Sequence, residues 1–142
     1  RQEVLEIGGI TFIKDCYNAG PESMEAALKV LGKKPGRRVA VLGDMLELGA
    51  CTAAEHYRVG RLAAAKSDLV FAFGPNAERV VNGCITGGME KFHTQGFTEM
   101  DKIIAALKRM LLPGDVVLVK GSHGMHMEQI IDAFLADEKE GK

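Results

Sequence analysis

Val39-Ala40-Val41-Leu42-Gly43-Asp44-Met45 decides the fold. Four consecutive apolar residues with no polar alternation mark a strand buried on both faces, as in a parallel sheet covered by helices. The run then breaks at glycine and an acid, where the backbone can approach a ligand closely. Working outward, the same design recurs twice. Leu69-Val70-Phe71-Ala72-Phe73 runs into Gly74-Pro75-Asn76, and Val116-Val117-Leu118-Val119 runs into Lys120-Gly121-Ser122-His123-Gly124. Between these strands lie segments of helical period. Pro21 opens one that carries Met24, Ala27, Leu28 and Leu31 and closes at Gly32. Others span residues 53–65 and about 76–81. Thr98-x-x-Asp101 resembles a capping box for a helix with Ile103, Ile104, Leu107 and Leu111, stopped by Pro113-Gly114. A last helix covers about 125–136, before a solvated tail.

Upstream, Val4-Leu5-Glu6-Ile7 and Thr11-Phe12-Ile13 flank Gly8-Gly9, the pattern of an antiparallel hairpin. Residues 83–96 hold four glycines and no helical period, so at most Lys91-Phe92-His93 adds a strand there. Connections too long for hairpins between buried strands require a parallel arrangement. The expected fold is α/β: a Rossmann-like, mainly parallel sheet of about six strands with helices on both faces and an N-terminal hairpin. No repeat or internal linker interrupts residues 1–142, which we read as a single domain.

The formal net charge is −1, which offers no electrostatic footprint for nucleic acid or an anionic membrane. No apolar run approaches the roughly 20 residues of a spanning helix, and the N-terminus lacks the order of a signal peptide. Cys16, Cys51 and Cys84 are odd in number and widely spaced, which fits reduced thiols in the cytoplasm. The sequence opens at Arg1 and runs at once into an apolar stretch, so we expect a domain cut from a longer chain.

Absent motifs narrow the chemistry. There is no G-x-x-x-x-G-K-[ST] loop, no G-x-G-x-x-G after a strand and no G-x-S-x-G elbow. The sequence therefore carries no triphosphate cradle, dinucleotide fingerprint or hydrolase nucleophile of the usual kinds. His56, His93, His123 and His126 show no metal-ligand spacing with the cysteines; His123 and His126 suit a capping or surface role.

The remaining polar concentration is Asp15-Cys16-Tyr17-Asn18-Ala19-Gly20-Pro21-Glu22-Ser23-Met24, between the hairpin and the first helix. It resembles the Asp-x-Tyr-Asn-Ala-Asn-Pro-x-Ser-Met signature that opens the C-terminal domain of one member of the Mur ligase family of bacterial cell-wall synthesis. Gly43-Asp44-Met45-Leu46-Glu47-Leu48-Gly49, followed by His56-x-x-Val59-Gly60, resembles a second segment of that family. Lys120-Gly121-Ser122 resembles its Lys-Gly-Ser-Arg segment, and Arg1-x-Glu3 its junction with the central ATPase domain. These matches run in order over the whole chain. The first two point to the members that add D-Ala-D-Ala.

The resemblance implies an ATP-dependent, amide-forming ligase that joins D-Ala-D-Ala to UDP-MurNAc-tripeptide through an acyl phosphate. The substrate-binding and central domains, with the Mg2+ ligands, would lie outside this chain, and the isolated domain would be inactive. By the same resemblance Arg1, Asp15 and Asn18 contact nucleotide, while Asp44, Asn76, Lys120 and Ser122 face the incoming dipeptide. The implied enzyme is a cytoplasmic bacterial monomer whose partners are its two substrates and its own central domain. Gly20 stands where the family has asparagine and His123 where it has arginine. A non-catalytic ligand-binding α/β domain and a sister ligase using a single amino acid are the alternatives.

Overall fold

The computed structural model describes residues 2–141. Strands β1 (Glu3–Ile7) and β2 (Ile10–Asp15) form the antiparallel hairpin, turning at Gly8-Gly9. Then α1 (Pro21–Gly32), β3 (Arg38–Gly43), α2 (Thr52–Lys66), β4 (Leu69–Phe73) and α3 (Ala77–Thr86) follow in alternation. β5 (Thr94–Phe97), α4 (Met100–Met110), β6 (Val116–Lys120) and α5 (Glu128–Lys139) complete the order. Single 3-10 turns occupy Gly49–Cys51, Lys91–His93 and His123–Met125.

The six strands lie in the order β1-β2-β6-β3-β4-β5, and every pairing beyond the hairpin is parallel. This is the expected α/β architecture. β6, though last in the chain, is central, with Lys120 in register with Asp15 on one side and Leu42 on the other. Helices α1, α2 and α3 cover one face through Met24, Leu28, Leu31, Val59, Ala63 and Val80. Helices α4 and α5 cover the other, where Ile103, Leu107, Ile130 and Ile131 pack on Phe12, Val41 and Val117. Burial of that apolar surface on both faces is the main stabilising term.

Four local expectations change. Lys91–His93 is a 3-10 turn, and the strand lies just beyond it at Thr94–Phe97. Its centre is Gly96, where a Cβ would stand 2.8 Å from the Glu78 carboxylate, so packing against α3 replaced the β-former that reveals a strand in sequence. Helix α3 continues through Gly83 to Thr86, because glycine there serves contact with α2 rather than a helix end. Thr98 caps nothing: α4 begins at Met100 with Glu99 as N-cap and no side-chain cap. The last helix starts at Glu128, since a 3-10 turn and a left-handed His126 intervene.

Candidate functional site

The carboxyl ends of β2, β3, β4 and β6 open onto one rim, the usual ligand edge of an open α/β sheet. Asp15 ends β2 and is buried; Lys120 ends β6 beside it at 2% exposure. The Lys120 ammonium donates to Asp15 Oδ2 at 2.9 Å and to the Asn18 carbonyl at 2.8 Å. Gln2 Nε2 adds a longer contact to the same carboxylate oxygen at 3.4 Å. Lys120, expected from the sequence to face the dipeptide, has its ammonium on Asp15 and Asn18, the two residues expected at the nucleotide. Asp15, Asn18 and Lys120 line a groove of about 290 Å3 with Gln2, Ser23 and Val30. Helix α1 starts at this groove. Pro21 presets its first turn, and Ser23 Oγ accepts the Gly20 N–H at 3.0 Å. Arg1 lies outside the described residues.

Asp44 and Asn76 come together on the adjoining loops. Asp44 is buried, its Oδ1 accepting the Asn76 N–H at 3.1 Å and its Oδ2 the Asn76 carboxamide at 2.7 Å. The Asn76 side-chain oxygen Oδ1 in turn accepts from the Arg79 guanidinium at 2.6 Å. Gly74 makes room for this clamp: its φ is +123°, and a Cβ would stand 2.5 Å from Asp44 Oδ1. Both residues thus have their side chains engaged in ordering the β3 and β4 loops.

Ser122 joins the two halves of the rim. Its Oγ accepts the Leu46 N–H at 2.9 Å and donates to the Ala19 carbonyl at 3.3 Å, while its own N–H reaches the Asp44 carbonyl at 3.1 Å. One hydroxyl therefore connects the Asp15–Gly20 run to the Asp44–Leu48 loop.

His56 is a residue to which sequence reading gave no role. It is 1% exposed; Nδ1 donates to the Thr52 carbonyl at 2.7 Å and Nε2 accepts the Met45 N–H at 3.0 Å. Those partners define the neutral Nδ1–H tautomer, with Asp44 Oδ1 4.0 Å from Nε2. A buried histidine eleven residues after Met45 was visible in the sequence only as part of the second family segment. On the other face of the hairpin, the exposed Tyr17 ring meets His123 edge-on at 5.2 Å beside Lys14, Cys16 and Glu128. Burial pushes the Cys16 thiol up to about 11, and its Sγ donates to the Val119 carbonyl at 3.5 Å, the environment of a packed structural thiol. Among the described residues no three His, Cys, Asp or Glu side chains gather as metal ligands. Among the described residues no helix is long and apolar enough to cross a membrane.

Fold and rim define an open α/β domain with two linked loop sets at one sheet edge and no phosphate cradle in its sequence. The chain belongs to the Mur ligase family: the model of its glutamate ligase domain matches residues 1–123. Among curated relatives, UDP-N-acetylmuramoyl-tripeptide–D-alanyl-D-alanine ligase of Treponema pallidum is 41% identical over 123 residues, covering 85% of this chain and 27% of its own. The Escherichia coli enzyme of the same name is 37% identical, with 86% and 26% covered. The chain thus spans about a quarter of the length of the relatives it matches. The structure of MurF ligase from Thermotoga maritima in complex with ADP superposes with a TM-score of 0.82 at 28% identity, over 99% of this chain and 31% of that one. MurF from Acinetobacter baumannii gives 0.82 at 29%, over 94% and 30%.

Proposed function

We propose that this domain is the C-terminal part of an ATP-dependent ligase that joins D-Ala-D-Ala to UDP-MurNAc-tripeptide in peptidoglycan synthesis. The observation that carries the reading is the double anchoring at the end of β6. Lys120 holds the Asp15 carboxylate and the Asn18 backbone, and Ser122 ties that loop to the one bearing Asp44. Two ligand sites set side by side are what a two-substrate condensation requires, because holding reactants together removes much of the entropic barrier.

In this reading Asp15 accepts hydrogen bonds from the ribose hydroxyls of the nucleotide, Asn18 contacts it from the adjoining loop, and Arg1 meets a phosphate. Lys120 is a positioning residue for Asp15. The clamp of Asp44 and Asn76, with Ser122, shapes the wall against which the dipeptide lies. ATP supplies the energy: its γ-phosphoryl group passes to the tripeptide carboxylate to give an acyl phosphate and ADP, and attack by the dipeptide amine forms the amide and releases inorganic phosphate and the amine proton. Among the described residues no cluster of magnesium ligands gathers, and in this reading Mg2+ and the phosphate cradle would come from a central domain. The enzyme would act as a monomer in the bacterial cytoplasm.

The test is phosphate release by the full-length protein with ATP, UDP-MurNAc-tripeptide and, in turn, D-Ala-D-Ala, D-Glu and meso-diaminopimelate. Turnover is expected with the dipeptide alone and not with residues 1–142 in isolation. Preference for D-Glu or diaminopimelate would transfer the domain to a sister ligase. In the same assay Asp15→Ala should raise the KM for ATP about ten- to a hundredfold, the worth of a charge-assisted hydrogen bond, and move the dipeptide constant little. A change confined to the dipeptide would remove Asp15 from the nucleotide site.

A further inference from the structure

Glu47 has φ +63°, and with His126 (φ +54°) it is one of two non-glycine residues in the left-handed region among the described residues. Both stand on the ligand rim in neighbouring loops: a Cβ on Gly124 would lie 3.0 Å from Leu46 Cδ1. Histidine is enriched in that region, whereas glutamate has no local reason to occupy it. Such a conformation persists only where surroundings over-determine it, and it concentrates at functional positions.

The surroundings here are explicit. Asp44 N–H bonds the Phe73 carbonyl at 3.1 Å, Met45 N–H bonds His56 Nε2 at 3.0 Å, and Leu46 N–H bonds Ser122 Oγ at 2.9 Å. Beyond Glu47, Cys51 N–H returns to the Leu48 carbonyl at 3.1 Å and Thr52 Oγ1 donates to the Gly49 carbonyl at 2.7 Å. Three consecutive pinned amides therefore deliver the chain into a strained residue. Glu47 is exposed, and among the described residues no hydrogen-bond donor or cation pairs with its carboxylate. Plain loop geometry would favour glycine or asparagine at this position. A strained, unpartnered carboxylate held at the rim has the chemistry to receive a cation.

We propose that Glu47 is the specificity residue that takes the ammonium group of the incoming amine substrate. This rests on the ligase reading above, in which that substrate is a dipeptide with a free amino terminus. Asp44 is unsuited to the role because both its oxygens are held by Asn76, while Ser122 offers no charge.

The experiment uses the full-length enzyme with Glu47→Gln and Glu47→Gly. Glu47→Gln keeps the side-chain shape and removes the charge; Glu47→Gly removes both the charge and the strain. Both should raise the KM for the amine about tenfold or more and leave the KM for ATP within about twofold. Glu47→Gly should at the same time raise the unfolding temperature, the opposite of its effect on function. As a probe, D-lactoyl-D-Ala has a hydroxyl in place of the ammonium. The wild type should bind it at least about tenfold more weakly than D-Ala-D-Ala, and Glu47→Gln should bind the two alike. A wild-type KM for the amine in Glu47→Gln, or equal changes for ATP and amine, would overturn the proposal. If the enzyme uses a different amine, the dipeptide reading fails, and the Glu47 variants measured with that amine decide this proposal separately.

Discussion

Gly83→Ala and Gly60→Ala should each lower the stability of the domain by about 1–3 kcal/mol, measured as a drop in the urea midpoint. Helices α2 and α3 cross with backbone against backbone. A Cβ on Gly60 would overlap the Val80 carbonyl oxygen, and one on Gly83 would overlap the Tyr57 carbonyl oxygen. Alanine favours a helix over glycine by about 1 kcal/mol, so on helix propensity alone both changes would stabilise. The overlap reverses the sign, because its partners are main-chain oxygens that cannot rotate away as side chains do. Parting the helices would also loosen the Val59, Ala63, Val80 and Cys84 contacts that cover β3 and β4. Against the 5–15 kcal/mol usual for a domain, that loss is large. An unchanged or higher midpoint for either variant would show that the crossing is looser than described.

Lys120→Met should be the most damaging change at the rim, and its functional loss should fall on ATP. Methionine replaces the buried stem but leaves the Asp15 carboxylate and the Asn18 carbonyl without the ammonium at 2.9 and 2.8 Å. Removing one member of a buried ion pair costs about 3–5 kcal/mol, because the remaining charge keeps its desolvation penalty. In the full-length enzyme we expect the KM for ATP to rise about tenfold or more, while the KM for D-Ala-D-Ala changes less. A paired measurement with Asp15→Asn separates the parts: if Lys120 acts through Asp15, the double variant should lose less than the sum of the singles. Additive losses, or a rise confined to the dipeptide, would restore Lys120 to the dipeptide pocket that its sequence position suggested.

The sequence by itself determined the layer architecture. Residues 39–42, 69–73 and 116–119 are apolar without alternation, and only burial on both faces explains that; the helical period of Met24, Ala27, Leu28 and Leu31 supplies a covering layer. It also determined which loops carry the polar residues, since glycine and polar groups follow each buried strand, and the ordered motifs were enough to place the chain in its family. Glycine as a signal was ambiguous. Gly83 and Gly96 looked like breaks in structure because a missing side chain reads the same whether the backbone turns or a neighbour presses against it.

Only the tertiary structure decided which polar groups remain available to a ligand. Asp15 and Lys120 are 105 residues apart in sequence and join because β6 inserts between β2 and β3, a strand order no local pattern encodes. The same insertion brings Ser122 within reach of Ala19 and Leu46, and folding back of the β4 loop occupies both oxygens of Asp44 with Asn76. Glu47, one polar residue among many in the sequence, acquires its strained backbone and unpartnered carboxylate from bonds made by His56 and Ser122 to the residues before it. Chemical type is a property of one residue and is written in the chain. Whether a charge is balanced or open depends on groups brought close by long-range pairing, so it is settled only when the sheet has formed.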